Sequence, residues 1–101
     1  MTDYYITGGM NASEYIKNGT IDKARMIAIK FLEKHPRIKT AYVSRVTDKG
    51  RDTISLGTVE TYGIFIDRYG VDRSGEVYAW ITENGAEYIL HRNGTLGKRT
   101  N

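Results

Sequence analysis

Residues 20–36 read TIDKARMIAIKFLEKHP and carry the clearest structural signal in the chain. Thr20 supplies an N-cap oxygen, and Asp22 puts a negative charge in the first turn, where the helix dipole favours it. Pro36 disfavours helical geometry at the residue that precedes it. Together these signals predict one helix over residues 21–34, roughly 21 Å long.

The apolar residues of this helix fall mainly on one face. At about 100° per residue, one stripe holds Ile21, Ala24, Ile27, Ala28, Phe31 and Leu32. Met26 and Ile29 lie nearly opposite this stripe, among charged side chains. A helix with a single buried face would leave both exposed, so we treat them as candidate contacts for a partner.

The segments around the helix have the pattern of strands. Before it, Tyr4–Thr7 is a strand signal, and Asn11 with Glu14 fits the capping arrangement of a short helical turn. After it, the hydrophobic period changes to two. The alternation predicts strands near residues 39–46, 60–68 and 76–83, a turn at 48–51 and a loop at 69–75.

Asn84-Gly85 is the strongest turn signal in the chain. This dipeptide favours a two-residue type I′ hairpin, because both of its positions need positive φ. Such a turn pairs Trp80 with Ile89 and Tyr78 with His91.

These elements predict an α+β fold for residues 1–101 as a single two-layer domain. We expect a mainly antiparallel sheet of about five strands packed on one long helix, in the order β-α-β-β-β-β-β. We expect residues 93–101 to form a flexible basic tail.

The predicted pairing makes both faces of the sheet partly apolar. One face takes the core residues Val77, Ala79, Ile81, Tyr88 and Leu90. One helix covers only one face, so the other would expose its aromatic rings unless the sheet coils strongly or the N-terminal segment folds over it. The candidate partner-binding residues are therefore Phe65, Tyr69, Tyr78, Trp80, Ile89 and His91, together with Met26 and Ile29.

Composition excludes several classes of function. The chain of 101 residues has no cysteine, which excludes disulfides, thiolate zinc sites and thiol catalysis. His35 and His91 have no metal-ligand spacing, so we expect no metal, no cofactor and no enzyme. A carboxylate pair that meets only in space stays open. The sequence has neither a long apolar run nor a secretory signal, which predicts a cytoplasmic protein with no membrane contact.

Two functions remain as the main hypotheses. The first is a small non-catalytic protein-binding module (an inhibitor, adaptor or mobile-element accessory protein) that binds a protein partner or a second copy of itself. The alternative is nucleic-acid binding, in which aromatic rings stack on bases and cations contact phosphates. The formal net charge of +3 is compatible with it. Its candidate phosphate contacts are Arg68, Arg73, Arg92, Lys98 and Arg99. A third hypothesis is an enzyme or a small-ligand binder that uses a concave sheet.

Overall fold

The computed structural model describes residues 2–9, 11–47 and 52–98. Within them the chain forms one helix and seven strands. These are β1 (Thr2–Gly9), β2 (Ala12–Gly19), α1 (Ile21–Lys34), β3 (Thr40–Val46), β4 (Thr53–Thr61), β5 (Tyr78–Thr82), β6 (Glu87–Leu90) and β7 (Leu96–Gly97). The strands form a single sheet in the order β2-β1-β3-β4-β5-β6-β7, and every neighbouring pair is antiparallel.

The predicted α+β class and the predicted helix are confirmed. The Thr20 side chain accepts a hydrogen bond from the Lys23 backbone N–H at 3.2 Å, and the helix ends at Lys34, two residues before Pro36. The sheet has seven strands instead of about five, because β2 and β7 are additional. The predicted turn at residues 48–51 lies outside the described residues.

The first additional strand replaces the short helical turn expected after Asn11. Gly9 and Asn11 both have positive φ, at 77° and 61°, and so reverse the chain directly after β1. The chain then returns along β1, with Ile6 opposite Glu14 and Tyr5 opposite Tyr15. The prediction of a helical turn was wrong because this left-handed conformation of Asn11 starts a hairpin and not an N-cap.

The strand expected over residues 60–68 ends at Thr61. Beyond it, residues 62–77 leave the sheet and form a separate hairpin-like projection, which we call the arm. The Tyr62 backbone N–H bonds to the Val77 carbonyl at its base, and the Arg73 N–H bonds to the Phe65 carbonyl further out. The isolated bridge between Ile66 and Asp72 continues this pairing toward the tip. The apolar residues of 62–68 therefore pair within the arm and not with the sheet.

The hairpin between β5 and β6 is shifted by one residue from its predicted register. Tyr78 lies opposite Leu90 and Trp80 opposite Tyr88. Of the turn residues only Gly85 has positive φ, at 87°, and the Thr82 N–H bonds to the Ala86 carbonyl. The loop therefore has three residues instead of two. A one-residue change of this kind exchanges the partners across the hairpin.

Because of this shift, Tyr78 and Trp80 share the helix side of the sheet with Leu90. Their placement on an exposed second face was wrong: both are buried, and Trp80 is only 3% exposed. The core between sheet and helix consists of Tyr4, Ile6, Ile16, Ala24, Ala28, Ile29, Phe31, Leu32, Ile38, Ala41, Val43, Val59, Tyr78, Trp80 and Leu90.

Ile29 is also buried, at 1% exposure, which contradicts its predicted exposure, and Met26 is half-buried. Ile29 belongs to the core, so the buried face of α1 is wider than the predicted stripe, and the turn at residues 91–95 packs along its edge. There the Gly94 carbonyl accepts from Arg25 Nε at 2.8 Å, and Arg92 pairs with Glu33 at 2.9 Å. These contacts lie about one helical turn to either side of Ile29.

One of these contacts is made by Gly94, a residue of the expected basic tail. Gly94 is buried and β7 pairs with β6, so this part of the expected tail belongs to the fold. Arg25 is buried between the turn and Trp80, with its guanidinium carbon 5.4 Å from the ring centroid. Burial lowers the pKa of Arg25, and the adjacent Asp22 carboxylate opposes that change.

Candidate functional site

The helix covers one face of the sheet and leaves the other to solvent. Side chains alternate between the two faces, so the residues beside the buried ones point away from α1. Within the described residues no helix or strand packs on this second side. We call it the open face; it consists of Tyr5 and Thr7 on β1, Ser13 and Tyr15 on β2, Tyr42 and Ser44 on β3, Thr58 on β4 and Ile81 on β5.

The strand register brings these residues into continuous rows. Thr7 lies opposite Ser13 on one side and Tyr42 on the other, and the same row continues through Thr58 to Ile81. A second row joins Tyr15, Tyr5 and Ser44. Tyr15 is 55% exposed and Tyr42 is 51% exposed. The centre of the open face thus combines aromatic rings with Ser and Thr hydroxyls and contains no charged side chain.

Charged groups stand only at the rim of the open face. Glu60 lies beyond Thr58 along β4, and Glu87 lies opposite Ile81. Asp3 accepts a hydrogen bond from the Tyr15 hydroxyl at 2.5 Å. That bond, and to a smaller extent the bond from the Asn18 N–H, holds the pKa of Asp3 below its ordinary value. This carboxylate is therefore ionised at neutral pH. Lys17 is a cation on the same side of β2 as Tyr15, so the described rim residues named here carry three negative charges and one positive charge.

The arm is the second exposed feature, and its tip is ordered by one carboxylate. Asp67 accepts hydrogen bonds from the backbone N–H groups of Tyr69 and Val71 and from Arg73 Nε, each at 2.9 Å. These bonds lower the pKa of Asp67. The bond from the Val71 N–H has the largest effect, and the bond from Arg73 has the second largest. The carboxylate is therefore charged at neutral pH and keeps all three partners. Gly70, with φ at 80°, completes a three-residue turn like the one at Gly85.

Large apolar side chains of the arm point into solvent. Ile64 is 83% exposed and Tyr69 is 76% exposed, while Ile66 and Val71 are each exposed over more than half of their surface. Phe65 differs from them: its ring packs edge-on against Tyr62, with centroids 5.6 Å apart. The arm is thus a preordered projection with an apolar outer surface.

A groove of about 620 Å³ separates the base of the arm from the end of β6. Its apolar lining includes Phe65 and Ile89, and its polar lining includes Arg73, His91 and Arg92. The groove thus brings together residues from both predicted sets, those for protein binding and those for nucleic-acid binding. Tyr69 lies at the tip of the arm, away from the groove lining.

Two of the candidate phosphate contacts are paired with carboxylates. Arg73 pairs with Asp67 at 2.9 Å and with Glu76 at 3.1 Å, and Arg92 pairs with Glu33. Arg68 at the arm tip lies over the Tyr69 ring, and Lys98 is exposed beyond β7. Arg99 lies outside the described residues. Arg73 and Arg92 line one groove, but the carboxylates paired with them reduce what each can contribute to phosphate binding.

Sequence reasoning missed the tyrosines of the open face. The signal that could have found them is the period-two alternation of residues 3–7 and 13–17. In each segment the odd-numbered residues are polar or tyrosine, whereas the even-numbered residues include Tyr4, Ile6 and Ile16. The reading of Asn11 and Glu14 as a helix start concealed this alternation.

Three further observations bear on the chemistry of the described residues. They contain no group of three or more His, Asp or Glu side chains arranged to hold a metal ion. No described helix has the length and apolar character needed to cross a membrane. His35 packs against Phe31, with ring centroids 4.8 Å apart. Searches against protein-family models, curated proteins and solved structures find no match for the chain.

Proposed function

We propose that this chain is a small, non-catalytic protein-binding module of the cytoplasm whose open face is the binding surface. The observation that carries the proposal is the uncovered sheet face, in which exposed Tyr15 and Tyr42 lie among Ser and Thr hydroxyls without a central charge. The function is the one expected from the sequence, but different aromatic residues supply the surface.

The composition of the open face suits protein recognition. Tyrosine offers a large contact area and a hydrogen-bonding hydroxyl while fixing only two side-chain torsions, and Ser and Thr add adaptable hydrogen bonds. An uncharged centre avoids the desolvation penalty of burying an unpaired ion. The row from Ser13 to Glu87 crosses six strands. At about 4.8 Å per strand spacing it is roughly 24 Å wide, which approaches the width of an interface that buries about 800 Å² per partner.

The charges at the rim favour a protein over a nucleic acid on this face. Exposed tyrosines on a sheet can stack on bases, but they need neighbouring cations to hold the phosphates. Among the described rim residues Asp3, Glu60 and Glu87 outnumber Lys17, which disfavours a phosphate backbone at this part of the face. A protein partner has no such requirement.

Photocrosslinking from defined positions tests the proposal. The photoreactive residue p-benzoylphenylalanine replaces Tyr42 on the open face or, as the control, Lys30 on the outer surface of the helix. After irradiation in a nuclease-treated native lysate, we expect a discrete protein adduct from position 42 and none from position 30. The Tyr42→Glu variant should then bind the captured protein at least about tenfold more weakly, because loss of a central interface tyrosine costs about 2 kcal/mol or more.

Two results would overturn this assignment. An adduct that forms in an untreated lysate but not in the nuclease-treated one would favour the nucleic-acid alternative. Unchanged affinity of the Tyr42→Glu variant would show that the partner does not use the open face.

A further inference from the structure

A cavity of about 290 Å³ opens where α1 ends, on the helix side of the sheet. It is lined by Ala12, at the start of β2, and by residues 34–38, which run from the last residue of the helix toward β3. The proposed function does not use this cavity. Its volume lies just below the range of about 300–1,000 Å³ that is typical of sites for drug-sized ligands, so a matching ligand is small.

The wall of this cavity is ordered by contacts within the fold. Ile38 is buried and packs so closely over Gly8 that a Cβ on Gly8 would stand 2.4 Å from Ile38 Cγ2. The Ile38 N–H bonds to the His35 carbonyl at 2.9 Å and closes the turn through Pro36, whose ring fixes its own φ. The His35 ring in turn packs against Phe31. A ligand therefore meets a formed cavity, which lowers the entropy penalty of binding.

The lining combines apolar side chains with two cations. Ala12, Pro36 and Ile38 supply the apolar part of the wall, and Lys34 and Arg37 are both exposed. Side chains of this length lay their methylene stems along apolar surface and keep the charged end in water. The positive charges therefore stand at the opening, above an apolar interior.

The positive charges at the opening are not neutralised by ion pairs. Residues 34–47 contain no acidic residue. None of the ion pairs in the described part of the chain includes Lys34, Arg37 or the neighbouring Lys39. This cavity thus differs from the groove beside the arm, where both arginines pair with carboxylates.

Two negative features oppose these charges and are weaker. Glu14 lies two residues beyond Ala12 on the same side of β2. The carboxyl end of α1 adds about half a negative charge. Glu33, the acidic residue in the last turn of the helix, pairs with Arg92. Three positive charges therefore stand against about one and a half negative ones, and the opening favours an anion.

We propose that this cavity binds a small organic anion whose apolar body lies against Pro36 and Ile38 and whose acidic group lies at Lys34 and Arg37. Burial of the apolar body supplies the affinity, and the two cations select an acid over a neutral molecule of the same shape. For a ligand of about eleven non-hydrogen atoms we expect a dissociation constant of about 1 mM.

Two-dimensional ¹H–¹⁵N NMR spectroscopy of the purified chain tests this proposal with three probes at constant pH. We expect 3-phenylpropanoate to shift the amide signals of Ala12, Arg37 and Ile38 in a saturable way. Its uncharged amide should bind at least about threefold more weakly, because it loses the ionic contacts. Propanoate, which lacks the ring, should bind at least about tenfold more weakly. Equal binding of the acid and its amide, or no shift of these signals at about 10 mM acid, would overturn the proposal.

Variants locate the site. The Lys34→Gln, Arg37→Gln double variant keeps two exposed polar chains and removes both charges, so it should bind the acid no more tightly than the wild type binds the amide. Lys23→Gln is the matched control, because it removes an exposed cation roughly 16 Å away at the other end of α1, and it should bind like the wild type. Ala12→Leu fills the cavity and should abolish the shifts of Arg37 and Ile38. Unchanged affinity of the double variant, or an equal loss in Lys23→Gln, would contradict this site.

Discussion

The Gly94→Ala variant is expected to lose about 2–5 kcal/mol of unfolding free energy, a large part of what a domain of this size has. Gly94 has φ at 89°, and a Cβ at this position would stand 1.8 Å from the Asp22 backbone carbonyl oxygen. A side chain at positive φ costs about 1–2 kcal/mol, and the forced backbone movement adds about 1–3 kcal/mol. The same movement would separate the Gly94 carbonyl from Arg25.

Gly85→Ala is the matched control for this variant. Gly85 occupies the same position of the same kind of turn, with φ at 87°, but no atom lies within 4 Å of its Cβ position. We expect this control to lose only the conformational part, about 1–2 kcal/mol. Urea denaturation of the two variants compares them directly. Equal losses would mean that the 91–95 turn does not pack on the helix.

The Trp80→Ala variant is expected to lose about 3–5 kcal/mol, the usual effect of removing a large aromatic side chain from a core. Trp80 is almost fully buried between sheet and helix, and its ring lies against the buried Arg25 guanidinium. The substitution would therefore leave a cavity, and the buried Arg25 guanidinium would lose the ring that packs against it. Thermal unfolding followed by circular dichroism measures the change.

Tyr42→Ala provides the contrast, because Tyr42 belongs to the open face. An exposed residue with no special backbone role changes stability by about 0.5 kcal/mol or less. A Trp80→Ala variant that melts at the wild-type temperature would place Trp80 outside the core and return it to the exposed aromatic face that the sequence alone predicts.

The helix and the fold class are predictable from the sequence because their signals are local. The N-cap at Thr20, the negative charge at Asp22 and the helix-ending effect of Pro36 all act within a few residues of the helix ends. The pattern of period two after residue 38 likewise identifies strands without any knowledge of their partners.

The aromatic surface was not predictable, because it depends on the exact length of one turn. Asn84-Gly85 fits a two-residue loop by its dipeptide preference. In the structure Thr82 accepts a hydrogen bond from the Ala86 N–H at 3.0 Å, and this contact accompanies the three-residue loop. The difference of one residue places Leu90 opposite Tyr78, so both share the buried face with Trp80, whose partner on β4 is the buried Val59.

The burial of Ile29 depends on long-range packing in the same way. Helical periodicity places it nearly opposite the main stripe, but in the structure it belongs to the core, beside the contacts that the 91–95 turn, more than 60 residues later in the chain, makes with Arg25 and Glu33. The arm, too, has strand-like residues from Ile64 to Ile66, and their exposure follows from pairing with residues 72–74 and not from their own pattern.

Hydroxyl-radical footprinting of the dilute monomer tests most directly whether one face of the sheet is uncovered. All the tyrosines have the same intrinsic reactivity, so their relative oxidation, measured by mass spectrometry, reports exposure alone. We predict rapid oxidation of Tyr15 and Tyr42, and protection of Tyr4 and Tyr78 beneath the helix. Protection of Tyr42 equal to that of Tyr78 would show that the open face is covered and would contradict the proposed binding surface.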